Sequence, residues 1–218
     1  MKTKFKSITA FLIYIFLPTI MLNLYGVDKT YFIGESIYVT QWLLIYIDFV
    51  TVTALSLLFK EELKSGFEKF KNDYKTLIPK LLKIWFLGII GMITTSFFVQ
   101  IIVGLGDISK NEEIIRNVID IIPIYSGIAA VLIAPITEEL TFREAIYKLT
   151  TNKFLFIFIS SFLFSFIHIA NDNFLQILPY FAMGIALSYA YYETKNIFSS
   201  IFIHMFHNLV QLILIFLI

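Results

Sequence analysis

Asp48, Glu138, Glu139, His168, His204 and His207 are the ionisable side chains that fall inside long apolar stretches of this 218-residue chain. Such groups are costly to place in lipid and concentrate where a membrane protein does its work. Ala134-Pro135-Ile136-Thr137-Glu138-Glu139-Leu140-Thr141-Phe142-Arg143 carries two adjacent carboxylates. On a helix neighbours point ~100° apart, so the two cannot share a face. Glu139 and Arg143 are i,i+4 and can pair, which leaves Glu138 facing elsewhere, free to take a proton from water. In Phe164-Ser165-Phe166-Ile167-His168 the ring of Phe164 is one turn from the imidazole and can shelter one side of it. In His204-Met205-Phe206-His207-Asn208, His204 and Asn208 share a face and can aim two hydrogen-bonding groups at one point. Glu144 and Lys148, further along the Glu-Glu segment, read as ordinary surface charges at a helix end.

The elements that must carry these residues are membrane spans. The chain is 58% hydrophobic, 17% aromatic and 15% charged, with mean hydropathy +0.81, whereas soluble domains carry roughly a quarter charged residues. A soluble globule and intrinsic disorder are both excluded. Apolar runs of span length occur at Ile8–Leu24, Tyr38–Phe59, Leu81–Leu105, Ile121–Leu140, Phe154–Ile169, Phe174–Tyr192 and Ile197–Ile218. The expected fold is a single all-α, polytopic transmembrane helical bundle of about seven spans over residues 1–218. The first run follows Lys2, Lys4 and Lys6 like a signal peptide, but no small-x-small cleavage site follows it, so it is expected to be retained.

Lysines and arginines give the orientation by the positive-inside rule. With a cytoplasmic N-terminus, Lys2, Lys4, Lys6, Lys60, Lys64, Lys69, Lys71, Lys75, Lys80, Lys83, Arg143, Lys148, Lys153 and Lys195 lie inside, against Lys29, Lys110 and Arg116 outside. Lys60–Lys80 repeats apolar residues at Leu63, Phe67, Phe70, Tyr74, Leu77 and Leu81. It reads as an amphipathic helix that ends at Pro79, lying on the cytoplasmic surface or packed on the bundle. Counting from cytoplasmic turns near Thr150–Asn152 and Lys195 at ~1.5 Å per residue, Glu138, His168 and His204 fall within a depth band of about 11 Å. They can meet near mid-depth, in a site expected to open toward the cytoplasm.

Taken together and in order, these three motifs resemble those of the CPBP family. That family comprises the CAAX prenyl endopeptidases of the Ras-converting type and their bacterial bacteriocin-processing, abortive-infection and lysostaphin-resistance relatives. The family pattern is two glutamates, three residues and an arginine; a phenylalanine, three residues and a histidine; and a histidine, three residues and an asparagine. Glu138, Glu139 and Arg143, then Phe164 and His168, then His204 and Asn208 meet it, as do Pro135 and the lead Asn196-Ile197-Phe198-Ser199-Ser200. The resemblance covers about residues 121–218, the expected catalytic core.

It implies hydrolysis of a peptide bond near the membrane–cytosol boundary of a peptide or membrane-anchored protein. Glu138 and His168 would activate water, His204 and Asn208 would stabilise the oxyanion, and Glu139, Arg143 and Phe164 would support them. Members are described as metalloproteases. The donors here differ from the His-Glu-x-x-His zinc site, which favours a glutamate mechanism with no cofactor. The alternative is a divalent metal such as zinc held by Glu138, His168 and His204.

The expected partners are the lipid bilayer and a peptide substrate. A net charge of +1 argues against nucleic acid, and the absence of cysteine excludes thiolate chemistry. A Lys-, Asn-, Ile- and Phe-rich composition suggests a bacterial plasma membrane, hence a bacteriocin or signalling peptide as substrate. Competing readings are a non-proteolytic scaffold or self-immunity protein of the same family, and a small transporter. Gly104-Leu105-Gly106-Asp107 matches the Gly-x-Gly-Asp of presenilin-type proteases, but its partner Tyr-Asp is here Tyr46-Ile47-Asp48 and no Pro-Ala-Leu follows. Asp48 therefore reads as a buried hydrogen-bonding residue, His207 as dispensable to the motif, and Gly184 with Ser188 as a packing pair.

Overall fold

The computed structural model describes residues 2–24, 37–104, 110–169 and 173–217, and every regular element among them is helical. The elements are α1 (Lys2–Leu24), α2 (Ile37–Leu58), α3 (Lys60–Val103), α4 (Lys110–Ile121), α5 (Pro123–Leu149), α6 (Lys153–His168), α7 (Ile177–Thr194) and α8 (Ile197–Leu217). Five of them, α1, α3, α5, α7 and α8, are long and apolar enough to cross a membrane; two shorter apolar helices lie at Trp42–Leu58 and Lys153–His168. Together these match the seven apolar runs of the sequence. The run ends at Leu105 and Ile218, together with Lys29, Gly106 and Asp107, lie outside the described residues.

Helix α3 differs from expectation: it is one helix of 44 residues that continues through Pro79. A proline removes one backbone donor and crowds the preceding turn, but flanking contacts hold the helix on. Leu81 is fully buried, and Leu63, Phe70 and Leu77 pack against the core. The N-terminal part of α3 is therefore seated on the bundle along one edge, with Phe67 and Tyr74 exposed. The sequence runs also omit α4; its 12 residues make a helix ~18 Å long, too short to cross.

The chain alternates direction, so the ion pairs gather at one end. There Lys6 meets Glu62 at 2.6 Å, Glu62 also pairs with Lys148, Lys153 meets Glu193 at 3.1 Å, and Lys69 Nζ donates to the Thr194 carbonyl at 2.7 Å. These bonds tie α1, α3, α5, α6 and α7 together at the lysine-rich end. Between the ends, α7 packs on α3 and α6 through small residues. A Cβ on Gly88 would stand 2.7 Å from Ala186 Cβ, and one on Gly184 would stand 3.0 Å from Ser161 Cα. The Ser188 hydroxyl donates to Ser160 at 2.8 Å. Gly184 and Ser188 thus serve packing, as their spacing suggests.

Candidate active site

Helix α5 carries the paired glutamates on an irregular backbone. Two π-helical stretches, Ala129–Ile133 and Leu140–Ala145, flank the α-helical Ala134–Glu139. Such wide turns are frequent at functional sites, and here the cause is partly legible. In the first stretch Ala134 N–H reaches back five residues to the Ala129 carbonyl. The next donor in that register would be residue 135, a proline without an N–H, so the Ala130 carbonyl needs another partner. Asn208 Nδ2 from α8 supplies it at 2.7 Å.

Glu139 and Arg143 pair as their spacing predicts, Nε to Oε2 at 3.1 Å, and both are fully buried. The guanidinium lies over the Phe164 ring, 4.4 Å from its centroid, a stacked arrangement that favours a planar cation. Glu139 Oε1 stands 2.8 Å from His204 Nδ1; a carboxylate only accepts, so that nitrogen carries the proton. His168 Nδ1 lies 2.7 Å from the Phe164 carbonyl, and by the same argument it too is protonated. Both imidazoles therefore turn Nε2 inward. His168 Nε2 is 3.9 Å and His204 Nε2 is 3.8 Å from one oxygen, Glu138 Oε2. These separations are too long for direct hydrogen bonds and suit a bridging water. Among the described residues no donor bonds to Glu138 Oε2.

The structure thus brings Glu138, Glu139, Arg143, Phe164, His168 and His204 into one cluster, with Asn208 one turn along α8 from His204. His207 is buried and lines the same cavity, and its Nδ1 has no hydrogen-bond partner among the described residues. Asp48 accepts a hydrogen bond from the Tyr125 hydroxyl, in keeping with its sequence reading, and also faces the cavity. Glu144 departs from expectation. It is buried, receives a hydrogen bond from the Tyr191 hydroxyl at 2.7 Å and pairs with Lys148 at 3.0 Å, because α5 stays buried as far as Ile146. Sequence reasoning missed Tyr180, which stacks on His168 with centroids 4.9 Å apart, and Tyr14, which lines the cavity and packs on Phe142. Nothing in the local sequence distinguishes these two among 12 tyrosines.

The cavity above Glu138 has a volume of about 890 Å³, large for a ligand site. It runs from Glu138, His168 and His204 to Gln100, Arg116 and Gln211. Those last three lie on α3, α4 and α8, away from the lysine-rich end that holds Lys6, Lys148 and Lys153. On the lysine side every residue from Leu140 to Ile146 is buried, backed by Ser160, Leu187 and Ser200. The expectation of a site open to the lysine-rich face is thus reversed. Depth counting ranks residues along a helix but carries no information on where helices splay.

Among the described residues no group of three or more His, Asp or Glu side chains is arranged to hold a metal ion.

Comparison with known proteins agrees with the motifs. Residues 120–210 match the family described as type II CAAX prenyl endopeptidase, Rce1-like. The UPF0177 protein YbdI of Lactococcus lactis is 32% identical over 69% of this chain and 84% of its own length. The membrane-embedded CAAX protease MroQ of Staphylococcus aureus is 29% identical over 84% of this chain and 74% of its own. An uncharacterized protein of Mycoplasma capricolum is 32% identical over 70% of this chain, which spans about half of that relative, 48%. No solved structure matches the chain. Residues 120–210 of the chain belong to the Rce1-like family, described as type II CAAX prenyl endopeptidases.

Proposed function

We propose that this chain is an intramembrane endopeptidase that cleaves a peptide or membrane-anchored protein by attack of water, in a bacterial plasma membrane with its lysine-rich face in the cytoplasm. The observation that carries the reading is the pair of imidazole Nε2 atoms, 3.9 and 3.8 Å from Glu138 Oε2, at the floor of a mainly apolar cavity. The family match supports it, as does the likeness to MroQ, a membrane-embedded CAAX protease.

Glu138 takes a proton from the water as its oxygen adds to the carbonyl carbon of the scissile bond. The Nε2 lone pair of His168 orients that water, with the ring held by the Phe164 carbonyl and flanked by Phe164 and Tyr180. His204 in its imidazolium form donates Nε2–H to the developing oxyanion, and Glu139 is its counter-charge. Asn208 contributes the amide hydrogen not engaged by Ala130. The tetrahedral intermediate then expels the amine, which receives the proton from Glu138. Glu139 and Arg143 are positioning residues that hold the His204 ring. No step requires a metal ion.

Comparing peptides in membranes of cells that carry the wild type or Glu138→Gln tests the reading. Loss of at least one cleavage product in Glu138→Gln, and equally in His168→Ala and His204→Ala, is the expected result. An unchanged peptide profile in Glu138→Gln would overturn it. Wild-type protein stripped of metal by chelator is expected to keep its activity, and a loss restored by zinc would overturn the metal-free mechanism.

A further inference from the structure

We infer that the substrate reaches Glu138 from the face of the membrane opposite the lysine-rich one, so that the substrate class is an apolar peptide segment presented on the non-cytoplasmic side. The inference rests on the peptidase reading and deepens it. Three observations carry it. First, most of the positive residues collect at one end, where Glu62 bridges Lys6 and Lys148 and Glu193 bridges Lys80 and Lys153, against Arg116 on the cavity side. The positive-inside rule assigns that end to the cytoplasm.

Second, the cavity lies wholly on the other side of the catalytic cluster. Its wall ascends from Glu138 through Met92, Ser96 and Gln100 on α3 and through Asn208, Gln211 and Leu214 on α8. Along both helices these positions run toward the end away from the lysines. The mixture of apolar surface with a few amides and hydroxyls, and Asp48 and Arg116 as its charged members beyond the catalytic cluster, suits a peptide whose side chains are mainly apolar and whose backbone groups need partners.

Third, the opposite route is closed by packing. Phe142, Arg143 and Glu139 are each at most 2% exposed, and the Glu139–Arg143 pair spans the floor. A tail arriving from the cytoplasm would have to separate a buried ion pair and leave each charge without its partner, which is strongly unfavourable.

The chain contains no cysteine, so single-cysteine variants report access without background. Ser96→Cys and Gln211→Cys lie in the cavity, and Lys71→Cys lies at the exposed lysine-rich end. A charged, membrane-impermeant maleimide added to intact cells is expected to label Ser96→Cys and Gln211→Cys, and to label Lys71→Cys only after permeabilisation. Labelling of the cavity cysteines only after permeabilisation, or from neither face, would overturn the inference. Labelling needs no turnover, so it is repeated in the Glu138→Gln background. There, outward labelling without any processed peptide in the wild type would sink the peptidase reading yet leave the orientation of the cavity standing. With an active wild type, the reagent added outside is expected to halt processing in Gln211→Cys cells and to spare the cysteine-free protein. Continued processing by labelled Gln211→Cys would count against entry from that face.

Discussion

Asn208 and Ala130, 78 residues apart, are joined by a 2.7 Å hydrogen bond from the side-chain amide to the backbone carbonyl. Pro135 is what leaves that carbonyl free, because the π-helical register would make it the missing donor. The bond therefore does two things at once: it satisfies a part-buried acceptor and it sets the height of α8, and so of His204, against Glu138 on α5.

Replacing Asn208 by Leu is expected to cost about 0.5–1.5 kcal/mol, the usual net worth of an intramolecular hydrogen bond, and to abolish processing. Adding Pro135→Ala restores a backbone N–H near Ala130. The double variant is expected to regain most of the stability and none of the activity. Thermal unfolding in detergent of both singles and the double gives the interaction term. Strict additivity would refute the link between Pro135 and Asn208.

Arg143 is fully buried with one carboxylate partner at 3.1 Å and an aromatic face at 4.4 Å. Arg143→Ala takes the guanidinium from buried Glu139 and leaves it only His204, a loss approaching the roughly 3–5 kcal/mol of breaking a buried ion pair. Arg143→Lys is expected to rescue little, since an ammonium cannot reproduce the planar contact with Phe164. Arg143→Met combined with Glu139→Gln removes both charges and is expected to unfold at a higher temperature than Arg143→Ala. The reverse order of melting temperatures would show that the pair is not held together by charge.

Two glycines distinguish tight from loose helix contacts. At Gly184 a Cβ would stand 3.0, 3.1 and 3.2 Å from Cα, Cβ and O of Ser161, whereas at Gly91 its nearest neighbour is Ala182 Cβ at 3.4 Å. Backbone atoms cannot swing aside, so Gly184→Ala must push α6 from α7 and is expected to lose about 1–3 kcal/mol. Because α6 carries Phe164 and His168, processing should fall as well. Gly91→Ala is expected to be neutral, or to gain up to ~1 kcal/mol from helix propensity. Equal melting temperatures for the two variants would contradict the packing assigned here.

What could be read from the chain was what is local to it. Apolar runs named the spanning helices because lipid demands length and hydropathy, and i,i+4 spacing alone places Arg143 on Glu139 and Phe164 against His168. Local rules also misled. Pro79 reads as a helix end, yet α3 runs through it because contacts with the bundle outweigh one lost backbone bond, and Glu144 reads as a surface charge although α5 stays buried to Ile146. Only the tertiary structure decided which groups meet across helices: His204 on Glu139, Asn208 on Ala130 and Tyr180 on His168. The same holds for the side on which the site opens. Depth along a helix follows from counting residues, but rotation and splay follow from how distant small residues such as Gly184 and Ser161 interlock, and no spacing within one helix encodes that.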